Sequence, residues 1–389
     1  MGFNFDEIVQ RRGSGSYKWD TADDASVLPM WVADMDFRTA PAVIAALERR
    51  VKHGIFGYTK IEDAYFDALT AWYSRRHHAA IEREWILYTS GVVPALSAII
   101  RAHTEPGDCV IVQPPVYNCF YSSIRNMGCQ VVENNLLYRD GRYEMDFDDL
   151  EKKVVTSKAR LFLLCSPHNP VGRVWARGEL IRLGEICFRH GVTVVSDEIH
   201  CDLVLPANTH IPFFTLGPEF LQNSVTCSSP SKAFNLAGLQ IANIVSADDE
   251  VRCRIDKVLN IHEVCDVNPF GVEALIAAYT KGEPWLDALN RYISGNVAIL
   301  RSFIREQLPF LTVVPQEATY LAWIDCKKLK FPSKEIAQRL LSGGKVWVNE
   351  GTLYGESGEG FVRINIACPA AILVDGLMRI SRAILGWAS

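Results

Sequence analysis

The sequence predicts an α/β protein, in which helices flank a mostly parallel sheet and a smaller α+β unit follows. Three observations support this fold class. In the middle of the 389-residue chain, short apolar runs alternate with stretches of helical periodicity. The apolar runs are continuous rather than alternating, which indicates strands that are buried on both faces. After Asp249 the pattern changes to longer helices, which indicates a second unit with a different arrangement.

Six apolar runs are the predicted strands of the large sheet, and they lie at 85–89, 109–113, 130–132, 160–165, 192–196 and 225–228. Helical periodicity fills most of the gaps between them, for example at 94–102, 117–126 and 177–190. The second unit is predicted to contain a long helix, a hairpin-like stretch, a helix, a strand and a last helix, at 283–306, 311–325, 333–341, 360–367 and 370–385. Sheets of this kind bind ligands beyond the carboxyl ends of their strands, so polar motifs that follow the runs are candidate site residues.

The length of the chain predicts two domains, because it exceeds what one hydrophobic core usually organises. The large domain is predicted to span 40–282 and to hold the site. The small domain is predicted to be discontinuous and to join 1–39 to 283–389. The reason is that the N-terminal segment, which is rich in Gly, Ser and Pro, is expected to pack onto the C-terminal unit.

The composition excludes several classes of protein. A net charge of -5 and a pI near 6.0 argue against a nucleic-acid-binding surface, which needs a basic surplus. No apolar run approaches the roughly 18 to 20 residues of a membrane span, and the N-terminus lacks the hydrophobic region of a secretory signal. Eleven cysteines without a C-x-x-C pair indicate reduced thiols in a cytoplasmic protein. His77 and His78 are adjacent rather than one helical turn apart, so we predict no metal site.

The strongest motif is Ser229-Pro230-Ser231-Lys232, which follows the apolar run at 225–228. A lysine among small hydroxyl residues at a strand end can form a Schiff base, while the hydroxyls hold a phosphate and confinement lowers the pKa of the amine. Taken alone, a lysine in this pattern is more often an ordinary surface residue.

Three other segments place polar residues after apolar runs. Asp197 can pair with a protonated pyridine nitrogen, although an aspartate at this point is also a common helix N-cap. Asn169 lies between prolines, in what is on its own a tight-turn pattern. The segment Ser90-Gly91-Val92-Val93 joins a strand to the start of a helix, where free amides can bind a phosphate.

In this order, the four segments resemble the fold type I pyridoxal 5′-phosphate (PLP) enzymes of the aminotransferase class I/II family, over nearly the whole chain. Two N-terminal stretches narrow the resemblance, and they read RGSGSYKWD at 12–20 and LPMWVADMDF at 28–37. They are similar to the PLP-dependent carbon-sulfur β-lyases of the MalY/PatB type, which are cystathionine β-lyase relatives.

The resemblance implies PLP as the cofactor and a role for each motif residue. Lys232 would be the catalytic residue and would bind the cofactor covalently. Arg363 would grip the substrate carboxylate, with Ala33 also in the substrate site, and Tyr58 would reach the phosphate of the neighbouring subunit in a homodimer. The other implied cofactor contacts are Val92 and Val93 (phosphate amides), Tyr117 (ring stacking), Asn169 and His200 (ring hydroxyl), Asp197 (ring nitrogen), and Ser229 and Ser231 (phosphate hydroxyls).

The implied activity is the cleavage of L-cystathionine or a related cysteine S-conjugate to a thiol such as homocysteine, pyruvate and ammonia. A class I/II aminotransferase is the alternative, and a catalytically silent regulatory protein on the same scaffold is a third hypothesis. Many aminotransferases have an arginine eight residues after the lysine, where this chain has Gln240, and this difference favours the lyase. Methionine biosynthesis, recovery of sulfur and regulation are alternative uses of the activity in a cell.

Overall fold

The structure is a computed structural model that describes residues 2–264 and 266–388. Its strands are β1 (Leu28–Pro29), β2 (Ile86–Thr89), β3 (Cys109–Val112), β4 (Gln130–Glu133), β5 (Leu137–Arg139), β6 (Arg142–Glu144), β7 (Leu161–Cys165), β8 (Thr193–Asp197), β9 (Ser224–Ser228), β10 (Ala242–Val245), β11 (Thr312–Val313), β12 (Leu321–Asp325), β13 (Val346–Trp347), β14 (Asn349–Glu350) and β15 (Phe361–Asn365). Its α-helices are α1 (Tyr17–Asp20), α2 (Pro41–His53), α3 (Asp63–His77), α4 (Val92–His103), α5 (Cys119–Asn126), α6 (Phe147–Ser157), α7 (Arg177–Arg189), α8 (Pro218–Gln222), α9 (Pro230–Ala233), α10 (Asp249–Ile261), α11 (Pro269–Lys281), α12 (Glu283–Gln307), α13 (Ser333–Ser342) and α14 (Ala370–Leu385).

The large sheet confirms the predicted fold class. Its seven strands lie in the order β2-β10-β9-β8-β7-β3-β4. The strands from β9 to β4 are parallel, whereas β10 is antiparallel to both β9 and β2. The sequence pattern does not predict β10, because Asn243 interrupts its apolar run. The side chain of Asn243 is buried, and its Oδ1 accepts a hydrogen bond of 2.5 Å from the hydroxyl of Tyr65, which satisfies this oxygen inside the sheet.

Helices cover both faces of this sheet, as the continuous apolar runs predict. In strand β7 all five residues are buried, and alternate side chains belong to different cores. Leu161 and Leu163 pack with helices α4, α5 and α10, whereas Phe162 and Leu164 pack with α6 and α7. Strands buried on both faces cannot move without disturbing two cores, so their carboxyl ends are firm supports for a site.

The N-terminal segment contacts the C-terminal unit through the pairing of β1 with β13. The second sheet is antiparallel, in the order β11-β12-β15-β14, and β1 pairs in parallel with β13 beside it. The domain boundaries at 40 and 282 stay a prediction. Within the described residues, no helix has the length and apolar character that crossing a membrane requires.

Helix α4 begins at Val92 rather than at Pro94, where the periodicity places it. Proline suits the first turn of a helix, since it has no amide hydrogen and the first amides of a helix lack partners within it. The earlier start is important for the site, because it leaves the amides of Val92 and Val93 at the open end of the helix.

Candidate active site

The polar motifs meet at one edge of the large sheet. Strands β2, β7, β8 and β9 run in the same direction, because β10 is antiparallel to both of its neighbours. Their carboxyl ends therefore share this edge, and a cavity of about 720 Å³ opens there. The predicted site residues that line the cavity are Ala33, Val92, Val93, Tyr117, Asn169, Asp197, His200, Ser231, Lys232 and Arg363.

Lys232 lies in the short helix α9, which begins directly after strand β9. Its Nζ donates a hydrogen bond of 2.7 Å to the carbonyl of Ala33. Burial lowers the pKa of this amine to about 8, and the positive charge of Arg363 acts in the same direction. The amine is therefore partly unprotonated near neutral pH, as a nucleophile for a carbonyl group must be.

Asp197 ends strand β8 and is 3% exposed. Burial raises the pKa of its carboxyl to about 7, although the backbone amide of Ile199 donates to Oδ1 at 3.1 Å. A carboxyl in this state pairs well with a cationic ring nitrogen, because each group stabilises the charge on the other.

Replacing Asp197 by Asn is expected to stabilise the cofactor-free protein at high pH. A folded-state pKa near 7, above the unfolded value of 3.8, means that the stability that Asp197 contributes at low pH is lost as the pH rises through 7. Asn stays neutral, so the gain in unfolding free energy is on the order of a few kcal/mol at pH 8 and smaller at pH 5. Urea unfolding of both cofactor-free proteins at the two pH values measures it. Equal pH dependence of stability in the two proteins would contradict the raised pKa of Asp197. In the presence of cofactor, the Asp197→Asn variant is expected to bind PLP more weakly than the wild type.

His200 and Asn169 supply polar atoms on the same side of the cavity. His200 is buried, and its Nδ1 has no hydrogen-bond partner in the described part of the chain. Burial, together with the charges of Lys232 and Arg363, lowers the pKa of His200 to about 3, so the ring is neutral. Asn169 is also buried and accepts a hydrogen bond of 3.2 Å from Arg363. A neutral imidazole with an unsatisfied buried nitrogen indicates a ligand that would complete its hydrogen bonding.

Tyr117 and the start of helix α4 line the cavity where an aromatic phosphate would be held. Tyr117 is half-buried, and burial raises the pKa of its phenol, so the ring is a neutral stacking surface. The amides of Val92 and Val93 have no partners within helix α4, and a helix N-terminus favours an anion. Ser231 and Gln240 also line the cavity.

Two predicted residues do not line the cavity of this chain. The hydroxyl of Ser229 donates to the carbonyl of Ile241 at 2.6 Å and accepts from the amide of Ser231 at 3.0 Å, so it caps helix α9. The side chain of Tyr58 is 97% exposed. Both cofactor roles stay predictions: that of Ser229 has no support from its present contacts, and that of Tyr58 requires a second subunit.

Arg363, on strand β15, is held in place by two acceptors and is 4% exposed. Its guanidinium donates to the carbonyl of Trp31 at 2.7 Å and to Asn169. The ring of Tyr354 lies 4.9 Å from its central carbon. Its Nε has no partner among the described residues. A fixed guanidinium with a free donor, facing a cavity, is suited to bind a carboxylate.

On the N-terminal wall of the cavity the sequence predicts only Ala33, and the structure adds several residues. Trp31, Val32 and Asp34 line it together with Ala33. Cys119 and Tyr354 also line it, and no motif marks them. The stretch at 28–37 marks the lyase subgroup, so the sequence indicates that these residues are important. It does not show that their backbone faces Lys232.

A partly buried histidine, His77, lies outside the cavity. His77, Cys201 and Asp202 bring potential ligand atoms within 4.8 Å of one another. The carboxylate of Asp202, however, accepts hydrogen bonds from Trp72 at 3.1 and 3.2 Å and contacts His77 at 2.9 Å. We therefore interpret this cluster as a hydrogen-bonded core network and not as a metal centre.

The lining residues fit pyridoxal phosphate at each of its polar atoms. Lys232 suits the aldehyde, Asp197 the ring nitrogen, and the unsatisfied Nδ1 of His200 the ring hydroxyl. The helix amides at Val92 and Val93 suit the phosphate. The fit rests on separate features of the cavity, and the group that matches all of them carries an aldehyde, a pyridine and a phosphate together.

Known proteins support this interpretation. The family model of aminotransferase class I and II matches residues 26–379. The chain is 46% identical over 385 residues to cystathionine beta-lyase PatB of Bacillus subtilis (strain 168), covering 98% of this chain and 100% of that protein. It is 34% identical over 388 residues to protein MalY of Escherichia coli (strain K12), covering 98% and 99%. A PLP-bound C-S lyase of Staphylococcus hominis, solved with L-cycloserine, has a TM-score of 0.93 and 34% identity, with 99% of each chain covered.

The matched region contains the cavity lining from Trp31 to Arg363 and every strand of the seven-stranded and four-stranded sheets. The fold type and the cofactor chemistry expected from the motifs agree with these relatives, and the chain belongs to the aminotransferase class I and II family.

Proposed function

We propose that this protein is a PLP-dependent carbon-sulfur β-lyase that cleaves L-cystathionine or a related cysteine S-conjugate. The products are a thiol (homocysteine from cystathionine), pyruvate and ammonia, and one water is consumed. The observation that carries the proposal is that one cavity contains a confined amine at Lys232, a buried carboxyl at Asp197 and a fixed guanidinium at Arg363. The names of PatB and of the Staphylococcus hominis enzyme support the lyase in particular.

Asp197, Arg363 and Lys232 have different roles in the proposed reaction. When bound, PLP supplies an electron sink that makes the Cα proton of an amino acid acidic, and Asp197 keeps its ring nitrogen protonated. Arg363 binds the α-carboxylate and so fixes which bond faces Lys232. Lys232, as a free amine, would remove the Cα proton. A thiol with a pKa of about 8.5 is a fair leaving group, so the Cβ–S bond can then break.

A class I/II aminotransferase remains the second candidate, because these residues also suit transamination. The feature that favours the lyase is Gln240, which lines the cavity where many aminotransferases place an arginine beside the phosphate. Gln240 is exposed and adds no charge, so the phosphate has one charge-assisted contact fewer.

The proposal is tested with purified PLP-loaded enzyme and L-cystathionine, without any keto acid. We expect pyruvate and free thiol to appear in equal amounts, as measured by a coupled pyruvate assay and a thiol reagent. Lys232→Ala is the matched control and should release neither product. A strict requirement for an added keto acid would show that the enzyme is an aminotransferase instead.

We also propose a homodimer whose active sites are shared. Tyr58 is 97% exposed, and Ile55 and Phe56 beside it are 67% and 54% exposed, which is a large apolar surface on one short segment. A second subunit would cover this segment and bring the Tyr58 hydroxyl near a phosphate.

Mixing two defective variants tests the shared site. Tyr58→Ala at limiting PLP and Lys232→Ala are each expected to be nearly inactive. Refolded together, they should regain about one quarter of wild-type activity, because half of the dimers are hybrids and each hybrid has one complete site. Sedimentation velocity confirms that dimers form. No recovery of activity from mixed dimers would contradict the role of Tyr58.

A cytoplasmic location and a role in methionine biosynthesis stay predictions.

A further inference from the structure

Four consecutive carbonyls of the N-terminal segment, at residues 31–34, all accept hydrogen bonds from side chains of the site or its supports. We call these residues the 31–34 segment. The Ala33 carbonyl accepts from Lys232 at 2.7 Å and from Tyr320 at 3.1 Å. The Trp31 carbonyl accepts from Arg363 at 2.7 Å. The backbone of one short segment therefore holds both the amine and the guanidinium of the site.

The 31–34 segment contains no regular secondary structure, so its position depends on side chains that fasten it. Asn365 donates to the carbonyls of Val32 and Asp34, at 2.6 Å each. Lys18 donates to the Asp34 carbonyl at 3.3 Å and forms an ion pair of 2.8 Å with Asp36.

The ion pair of Lys18 and Asp36 is almost entirely removed from solvent, with exposures of 1% and 4%. Asp36 also accepts from the indole of Trp19 at 2.8 Å and pairs with Arg11 at 2.7 Å. Burial alone would raise the pKa of Asp36, but Lys18 and these donors hold it below its usual value, so the carboxylate stays charged. Buried pairs of this kind are a poor source of stability, because desolvation offsets their attraction.

We propose that Lys18 and Asp36 are positioning residues. They fix the 31–34 segment where its carbonyls accept hydrogen bonds from Lys232 and Arg363, and so orient both side chains for the reaction. The inference rests on the proposed function, since it concerns the same amine. It also gives the N-terminal stretches that mark the lyase subgroup a physical purpose: Lys18 lies in the first of them, and Asp36 lies in the second. Displacement of a reacting group by about 1 Å can lower a rate by about a hundredfold, so such a fastening has a large effect on activity.

The test uses a double variant, Lys18→Met/Asp36→Leu, in the full chain. Removing one partner alone leaves a buried charge unpaired and threatens folding, whereas replacing both by apolar residues of similar size is commonly neutral or stabilising. The matched control is Lys345→Met/Asp24→Leu, which makes the same exchanges in an exposed ion pair of 3.1 Å.

Two readouts separate positioning from stability. The first is the rate at which cofactor-free protein captures PLP covalently, followed by absorbance, and the second is kcat/KM at saturating PLP. We expect the double variant to keep a melting temperature close to that of the wild type and to lose about tenfold or more in both readouts. The control should match the wild type.

Capture and kcat/KM within twofold of the wild type and the control would overturn the inference. If the wild-type protein itself captures no PLP, the proposed function fails, and this inference fails with it. If the wild-type protein captures PLP and the double variant matches it in both readouts, the positioning role alone is overturned.

Discussion

Lys232→Ala is expected to abolish the covalent attachment of PLP and to lower kcat by about a thousandfold or more, since proton transfer by a positioned side chain accounts for about 10²- to 10⁴-fold. Two functions are lost at once. The amine that links to the cofactor disappears, and so does the base that takes the Cα proton. Lys232 is the only lysine among the described residues that line the cavity, so no other amine there can replace it.

Borohydride reduction followed by peptide mass spectrometry measures the attachment directly. In the wild type the reduced cofactor should be found on the peptide with Lys232, and in the variant on no peptide. Lys334→Ala, which removes a lysine from helix α13 away from the cavity, is the control and should behave as wild type. Elimination at an undiminished rate in Lys232→Ala would contradict both roles of this residue.

The large sheet and its site could be predicted because their physical signals are local. A strand buried on both faces must be apolar throughout, so the runs that end at Cys165 and Asp197 are visible in the sequence. The residues that follow these runs are polar. Because a core does not tolerate polar groups without partners, they are expected to face a site rather than the core. Strand β10 lacks this signal, since the partner of Asn243 is Tyr65, which is distant in the chain.

The contacts of backbone carbonyls could not be predicted, because a carbonyl is the same for every residue. The Ser229 hydroxyl was expected at a phosphate but donates to the carbonyl of Ile241, on the segment that leads into the neighbouring strand. In the same way, nothing about Ala33 as a residue type shows that its carbonyl faces Lys232. The motif at 28–37 indicates that the stretch is important, but only the fold shows that its backbone carbonyls bind Lys232 and Arg363.

Arg363→Ala is expected to raise KM for L-cystathionine by about a hundredfold or more, with a smaller effect on kcat. Each charge-assisted hydrogen bond to a carboxylate contributes about 1.5 to 3 kcal/mol, and a bidentate guanidinium makes two of them. Arg363→Lys keeps the charge but not the planar fork, so its KM should lie between those of the wild type and Arg363→Ala. Arg339→Ala, in a half-exposed ion pair with Glu335, is the control for loss of an arginine elsewhere.

A second effect of Arg363→Ala distinguishes a direct role from general damage. Burial is the main reason why the pKa of Lys232 falls to about 8, and the charge of Arg363 is the next. Without that charge the ammonium form of Lys232 is less destabilised, so the pKa of its amine rises toward the ordinary lysine value of about 10.4. The pH midpoint for PLP capture by cofactor-free protein should therefore move upward in Arg363→Ala and stay near 8 in Arg363→Lys. An unchanged KM together with an unchanged midpoint would contradict both the carboxylate-binding role of Arg363 and its electrostatic effect on Lys232.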